Sequence, residues 1–441
     1  VENKPRRPLV AHRRDLEDFD DVPRSGPKAS DTTPEKPNEA IAPLSFSGKR
    51  WPLFKIALTN ALLTILTLGI YRFWAKTRLR RYFWSNIRIQ NEPLEYTGTA
   101  MELLIGFLVV LAILVPVFAL YQGALFLAQS SPEWITLGLN VFYAIALLAF
   151  FQYAFYRMWR YRFSRTTWRG IRFTQGGSAW KYMGITLAWM MISVGTLGVA
   201  YPWLRNAQWK YRIENLHFGQ TACAYNGRAK ALMIKWLIAG VVPALFLAAL
   251  IFYYVNDLTE LYAQGIQGGA IDGNVANDLI SNLLPFNIVL MTVTVFMIFS
   301  FIWYRTHEAN YVFHNSQFVG SDIVAKLKPG SVIGIFVVNV IVLTAAIMGP
   351  VAIIVTAVLN SPGLIELIGG GVAFAPLIIA IYAIVVSSIV NIIVLNFGLA
   401  RYVCSHLVIT NADALNRASQ STKQKPEFGE GLADALDVGA F

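Results

Sequence analysis

Arginine and tryptophan crowd two short segments of this chain, and arginine is the residue that best pairs with phosphate. The first segment holds Arg72, Trp74, Arg78, Arg80, Arg81, Tyr82 and Trp84. The second holds Arg157, Trp159, Arg160, Arg162, Arg165, Trp168 and Arg169. Guanidinium groups pair with phosphate oxygens in a bidentate manner, and indole rings sit at headgroup depth in a membrane. Each cation at such a boundary gains about 1 kcal/mol from an anionic leaflet. Anionic phospholipids are therefore the expected partners of these thirteen Arg and Trp positions. Simple topology anchoring accounts for the same residues and stays open. Covalent chemistry has less support. His307-Glu308 has Tyr311 where a zinc-protease motif needs its second His. Gly268-Gly269 and Gly369–Gly371 lack the lysine or strand context of a phosphate loop. No nucleophile–base–acid set emerges, so no enzyme, catalytic residue, metal or cofactor is expected.

These clusters must be positioned by membrane helices. Apolar residues make up 55% of the chain and charged ones 14%, against about 25% charged in soluble domains. The net charge of +11 is concentrated between hydrophobic stretches, a positive-inside pattern and not a nucleic-acid footprint. Cys223 and Cys404 fall in expected cytosolic segments and imply no disulfide framework. Residues 1–43 are Pro-rich and polar, and 411–441 are similar in character. Both read as disordered cytosolic tails that would recruit a membrane or cytosolic protein. No cleavable signal peptide is expected, and oligomeric state is left open.

Eight hydrophobic stretches lie between the tails: 51–73, 101–127, 134–157, 179–204, 230–254, 283–304, 331–359 and 372–399. If all crossed, strongly basic loops would fall on opposite faces. The conflict disappears if 51–73 and 179–204 do not cross. Six spans then form three hairpins, with every basic segment and both termini cytoplasmic. The two remaining stretches read as re-entrant or interfacial helices. They break at Thr67 and Gly69, and at Gly195, Thr196 and Gly198. Irregular backbone at membrane depth needs burial by protein or a cavity. Eight full spans is the alternative. Pro116, Pro243 and Pro350 would kink the outward helices. The absence of a mid-span carboxylate counts against an ion-coupled pump.

A twelve-residue pattern follows five of these stretches. Its copies are Arg78–Ile89, Arg162–Phe173, Ala207–Phe218, His307–Phe318 and Gly398–Ile409. Tyr82, Tyr211 and Tyr311 share its fifth position, Asn86, Asn215 and Asn315 its ninth, and Ile or Phe its twelfth. Residues 67–98 match 196–227 without a gap: Thr67 pairs with Thr196, Tyr82 with Tyr211 and Gly98 with Gly227. This divides the chain into membrane repeats 44–172 and 173–317 and a shortened repeat 318–410, in parallel orientation. An aromatic-x-Gly signature occurs at Phe46–Gly48, Tyr96–Gly98, Tyr225–Gly227 and Phe318–Gly320. It reads as a strand-to-helix corner needing unusual backbone angles. The expected fold is an all-α polytopic membrane protein with pseudo-repeats and a small cytosolic β-hairpin element.

The run Thr67-Leu-Gly-Ile-Tyr-Arg-Phe-Trp-Ala-Lys-Thr-Arg-Leu-Arg-Arg-Tyr-Phe-Trp84 resembles the hallmark of the YjgN-like bacterial inner-membrane proteins, a family of unknown function. The resemblance covers residues 44–410. It implies an inner-membrane location and no known activity or cofactor. Tyr201-Pro-Trp-Leu-Arg205 departs from the Trp/Arg run, so a role for that cluster need not extend there. Two functions are expected. One is a passive transporter, channel or lipid-handling protein, with its site where shallow helices meet kinked spans. The other is a non-transporting scaffold or sensor reading anionic lipid through the Arg/Trp clusters.

Overall fold

The computed structural model describes residues 41–267, 273–360 and 375–417. The expected tails 1–43 and 411–441 lie outside these, apart from 41–43 and 411–417. Among the described residues the order strand–helix–helix–strand occurs five times. Unit one is β1 (Ala42–Phe46), α1 (Arg50–Leu66), α2 (Arg72–Asn86) and β2 (Ile87–Ile89). Unit two is β3 (Glu92–Tyr96), α3 (Ala100–Leu127), α4 (Glu133–Ser164) and β4 (Thr166–Trp168). Unit three is β5 (Ile171–Gln175), α5 (Ala179–Gly195), α6 (Tyr201–Glu214) and β6 (Leu216–Phe218). Unit four opens with β7 (Thr221–Ala222) and β8 (Ala224–Tyr225). It continues through α7 (Lys230–Trp236), a π-helical turn at Leu237–Val241, α8 (Val242–Gln267), α9 (Gly273–His314) and β9 (Ser316–Phe318). Unit five is β10 (Ser321–Ala325), α10 (Pro329–Leu359), α11 (Ala375–Val390), a π-helical segment at Asn391–Asn396, α12 (Phe397–Ser405) and β11 (Leu407–Thr410). This division is finer than three repeats: 44–172 and 173–317 each hold two units, and 318–410 holds one.

The strands form one antiparallel sheet in the order β7-β6-β5-β4-β3-β2-β1-β11-β10-β9-β8. Only Cys223 separates β7 from β8, and its N–H donates to Leu216 O at 2.8 Å. The sheet therefore closes into a ring. This corrects the all-α expectation with a small β element. Each strand is two to five residues long, too short for alternation to register clearly. Successive units are joined by tight hairpins. Gln90-Asn91, Arg169-Gly170 and Val319-Gly320 all take positive φ, the backbone of two-residue hairpin turns whose twist matches the strands.

Aromatic and aliphatic side chains fill the ring. Ile89, Trp168, Phe218 and Ile409 are buried together, with Phe318 packed against them. Each is the third residue of its strand, the twelfth position of the motif. Phe218 lies 4.8 Å from Phe173, 5.6 Å from Phe318 and 5.7 Å from Trp168 by ring centroid. Ala412 and Leu415 add to the same core. The second motif copy therefore runs from Arg157 to Trp168, five residues earlier than Arg162–Phe173, with Tyr161 at position five and Arg165 at position nine. Two adjacent strands both carry apolar residues there, and this hid the register.

The motif Tyr and Asn close each unit. Tyr82 donates to Lys49 O (2.5 Å) and accepts from Lys49 N–H (2.8 Å), at the start of α1. Tyr211 makes the same pair with Ser178, Tyr311 with Arg228 and Tyr402 with Lys328. Unit two differs: Tyr161 donates to Glu102, which also receives both arms of Arg165. Asn86, Asn215 and Asn315 donate from their side chains to the carbonyl of their own motif Tyr at 2.7–2.8 Å. Their own carbonyls accept from the residue that follows the entering strand.

The aromatic-x-Gly signature has a different cause from the one expected. Gly48 and Gly98 do not take positive φ. Instead the aromatic ring folds onto the glycine: a Cβ at Gly48 would lie 2.6 Å from Phe46, and one at Gly98 2.5 Å from Tyr96. Phe318–Gly320 does not belong to the set, because Gly320 sits in the β9–β10 turn. Gly98→Ala is expected to cost about 1–3 kcal/mol through overpacking. Gly123→Ala, in open space on α3, should stay near neutral. Thermal melting of the two variants side by side checks this.

Among the described residues six helices are long and apolar enough to cross a membrane. They are Ala100–Leu127, Glu133–Ser164, Lys230–Phe252, Phe286–His314, Pro329–Ala357 and Ala375–Ser405. These are the hairpins of units two, four and five. Units one and three carry shorter hairpins built alike. Thr67 Oγ1 caps Leu63 O and accepts from Tyr71 N–H, while Thr196 Oγ1 caps Ile192 O and accepts from Ala200 N–H. Leu68 and Leu197 have φ of 50 and 49°, Gly69 and Gly198 of 91 and 84°. The glycines permit this left-handed pair of residues. Leu68 and Leu197 project outward, 95 and 81% exposed. Gly195 ends α5 one residue before the turn. Both ends of every hairpin lie in the one sheet, so α2 and α6 return the chain to the side it left.

Candidate functional site

A cavity of about 450 Å³ lies where the short hairpin of unit one meets the last span of unit five. The sequence forms it locally in two ways. The α1–α2 hairpin turns back at Thr67, so on this side α11 meets a short hairpin and not a span-length one. The π-helical segment at Asn391–Asn396 widens the opposite wall, and π turns present side chains off the usual helical face. One wall carries Asn60 and Thr64 from α1 with Arg72, Lys76 and Arg80 from α2. The other carries Ser388, Asn391 and Asn396 among Ile384, Val385 and Ile392. Cations and amides thus share the chamber with an aliphatic surface, which suits an amphiphile.

Hydrogen bonds hold the polar lining in place. Asn60 donates to Ala75 O (3.3 Å) and accepts from Arg78 Nη1 (3.3 Å). Asn391 Oδ1 accepts from Asn339 Nδ2 at 2.8 Å. The Arg72 guanidinium lies over the rings of Phe73 (4.9 Å) and Phe107 (4.6 Å). Arg80 is 2% exposed and donates to the Tyr96 hydroxyl at 3.2 Å.

Of the thirteen Arg and Trp positions expected to meet headgroups, Arg72 and Arg80 line this cavity. Arg78 supports it through Asn60 and also donates to Tyr71 OH at 2.9 Å. The others are held elsewhere. Arg81 bonds Gly98 O, Trp84 donates to Thr166 Oγ1, and Trp74 stacks on Tyr71. Arg157 lies over Tyr153, Trp159 stacks on Phe163, and Arg160 bonds the carbonyl of Gly177. Arg162 is buried, Arg165 pairs with Glu102 at 2.9 Å, and Trp168 sits in the ring core. Arg169 pairs with Glu92 (2.9 Å) and bonds Asn416 (2.7 Å), tying a hairpin turn to the segment after β11. Thr67, Gly69, Thr196 and Gly198 form the hairpin tips, and Ile65, two residues before Thr67, is the lining residue nearest in sequence to the first tip.

Sequence reasoning did not single out Ser388, took Lys76 only as part of a basic segment, and read Asn391 and Asn396 as polar span residues that helix-to-helix hydrogen bonds explain as well as a pathway. Amides at 391 and 396, five apart, match a π turn and not an α-helical face. It also missed a buried charge cluster between units three and four. Glu308, 1% exposed, accepts from Arg205 Nε (2.9 Å), Arg305 Nη1 (2.5 Å) and the Trp209 indole (2.7 Å). Burial alone would depress the Arg205 guanidinium, but Glu308 beside it holds it above its ordinary value. Arg212 is surrounded by rings: Trp209 at 4.6 Å, Phe155 at 5.3 Å, Trp159 at 5.4 Å and Tyr182 at 5.7 Å. Burial lowers it to about 10, so it remains a cation at neutral pH. Burial raises the Cys223 thiol to about 12, which leaves it inert. Among the described residues no group of three or more His, Cys, Asp or Glu is placed to hold a metal ion.

A family profile described as "Bacterial protein of unknown function (DUF898)" matches residues 41–435, a range that takes in every described residue. The chain belongs to this family. Proteins of similar sequence are named inner membrane protein YjgN. The one from Salmonella typhimurium is 40% identical over 79 residues, 18% of this chain and 20% of that protein. Those from Escherichia coli O157:H7 and strain K12 are 29 and 36% identical over 128 and 62 residues. These stretches cover 29% of this chain and 29% of the O157:H7 protein, and 14 and 15% for K12. The chain thus matches less than a third of each relative's length. No solved structure matches. Membership agrees with the resemblance seen in the Thr67–Trp84 run, and the six apolar helices make this an integral membrane protein.

Proposed function

We propose that this inner-membrane protein is a passive lipid-handling protein that holds the headgroup of an anionic phospholipid in the cavity between units one and five. The observation that carries the reading is the lining itself. Arg72, Lys76 and Arg80 gather on one wall, amides and Ser388 on the other, and aliphatic side chains continue toward the hairpin tip. A headgroup phosphate would meet the cations while its chains follow Ile65 and Ile384. An aqueous channel along the ring axis is disfavoured by the packed Phe173, Phe218 and Phe318 cluster.

In this reading the closed sheet lies in the cytoplasm, where the basic segments between hairpins belong. Three hairpins cross and return. The two short ones enter from the cytoplasmic leaflet and turn back, leaving lipid-facing space beside them. The five units descend from one repeated β-α-α-β ancestor arranged about an axis along the membrane normal. Single cysteines test the placement in intact cells: Gln129→Cys should react with an impermeant maleimide and Ser85→Cys should not. Reaction of Ser85→Cys from outside would refute it. Both native cysteines are buried and give little background.

Native mass spectrometry tests the site. Wild-type protein offered phosphatidylglycerol and phosphatidylethanolamine together should retain phosphatidylglycerol preferentially. Arg72→Ala with Lys76→Ala should reduce that retention at least tenfold, since two charge-assisted contacts of about 1 kcal/mol or more are lost. Unchanged retention in the double variant would sink the reading.

A further inference from the structure

Unit three has a polar interior at the positions where unit one has an apolar one. Residues 129 apart occupy equal places in the two short hairpins, as Thr67 and Thr196 do. On that register Phe46, Leu53, Ala57, Leu79 and Phe83 of unit one become Gln175, Tyr182, Thr186, Gln208 and Arg212 of unit three. In unit one, Leu53 and Phe83 form a buried cluster with Phe46 and Leu79 packed on it. In unit three Tyr182 and Thr186 are 0% exposed and Arg212 is 6% exposed. The fold evidently tolerates hydrocarbon at these places, so packing alone does not call for the polar groups.

Gln208 Oε1 accepts from Arg205 Nη1 at 2.8 Å, but others of these groups lack hydrogen-bond partners. The Tyr182 hydroxyl, Thr186 Oγ1 and Arg212 Nε have no hydrogen-bond partner among the described residues. Aromatic faces surround Arg212. Glu308, the carboxylate within electrostatic range of it, is already engaged by Arg205, Arg305 and Trp209. A buried donor without an acceptor destabilises a fold, and a half-satisfied polar cluster is worse than an apolar core. Two hydroxyls and a guanidinium can all donate, and no free carboxylate accepts from them. What completes such a site is an acceptor-rich anion.

We propose that the interior of the α5–α6 hairpin is a second binding site, for a phosphate-bearing anion, with Arg212 as its cation and Tyr182 and Thr186 as hydroxyl donors. It is separate from the cavity between units one and five. Trp159 and Trp209, both half-buried, lie against the Arg212 guanidinium at 5.4 and 4.6 Å.

The test is thermal melting of the full chain in phosphatidylcholine nanodiscs, in an Arg72→Ala/Lys76→Ala background that silences the first cavity. One arm adds inorganic phosphate; the other replaces part of the lipid with phosphatidylglycerol. The melting temperature should rise by several degrees in at least one arm. A rise with inorganic phosphate identifies a free phosphate group as sufficient; a rise with phosphatidylglycerol alone identifies a lipid headgroup. Adding Tyr182→Phe and Thr186→Val, which remove only the hydroxyls, should abolish the rise. Without ligand these variants should melt at or above the temperature of their parent, because unpartnered groups have gone. The proposal is overturned if neither arm raises the parent, if the rise survives without the hydroxyls, or if the hydroxyl-free protein melts lower in neutral lipid.

Discussion

Replacing Glu308 by Ala is expected to cost about 3–5 kcal/mol. Three donors converge on its carboxylate, and its side chain is 2% exposed. Alanine leaves Arg205, with 14% of its side chain exposed, as a cation without a counter-charge. Moving such a charge out of water costs several kcal/mol when nothing pairs with it. Arg305 suffers less, because 39% of its side chain is exposed and water or headgroups can solvate it. Glu308→Gln should fall between, keeping an acceptor and losing the charge. The double variant Arg205→Met/Glu308→Leu should recover most of the loss, since apolar residues of similar volume often equal a buried pair. Thermal melting and folded yield of the four proteins check the series. If Glu308→Ala melts with wild type, the two contacts from Arg205 and Trp209 do not hold units three and four together.

Phe218→Ala should be nearly as severe, at about 3–5 kcal/mol. Phe218 is 0% exposed and touches rings from three other strands, Trp168 of β4, Phe173 of β5 and Phe318 of β9. The strands around it are so short that the shared core, and not strand length, closes the sheet. Removing its centre should loosen the ring before the membrane hairpins. Limited proteolysis at the hairpin turns should therefore accelerate while helical circular dichroism is kept. Phe218→Leu should cost less, because it refills most of the space. Turn cleavage at the wild-type rate in Phe218→Ala would contradict the account.

Much of the architecture was legible from charge and periodicity. The placement of Arg72 to Arg88 and Arg157 to Arg172 pointed to three hairpins before any coordinates. Thr67-Leu-Gly69 and Thr196-Leu-Gly198 marked the two hairpins that turn early, and their backbone angles agree. The sheet was under-read because its strands are two to five residues long and pair across units, so pairing depends on closure and not on local pattern. The register of the second motif copy slipped because Thr166 and Trp168 lie beside Phe173 on adjoining strands. Unit two also replaces the usual Asn with Arg165, whose partner Glu102 is sixty-three residues away.

The site was less legible than the fold. Arg and Trp density pointed to the helix of unit one that carries Arg72 and Arg80 into the cavity lining, but density does not separate a cation lining a cavity from one that also holds the fold. Arg165 and Arg169 pair with carboxylates, Arg81 and Arg160 bond carbonyls, and Trp168 fills the ring. What sets Arg72 and Lys76 apart is the π segment opposite them, which no helical periodicity announces. The polar interior of unit three was visible in principle: aligning residues 46–83 with 175–212 shows five apolar-to-polar exchanges. Their meaning depends on burial, and burial is a property of the folded chain.

Photocrosslinking from within the cavity between units one and five tests most directly whether it holds an anionic headgroup. A benzophenone side chain placed at Ser388, in growing cells, should capture phosphatidylglycerol or cardiolipin well above their share of membrane lipid. The same probe at Met291, on an outward face 70% exposed, should capture lipids in their bulk proportions. Enrichment at Ser388 that disappears when Arg72 and Lys76 are alanine is the expected result. Bulk proportions at both positions, with or without those cations, would contradict the claim.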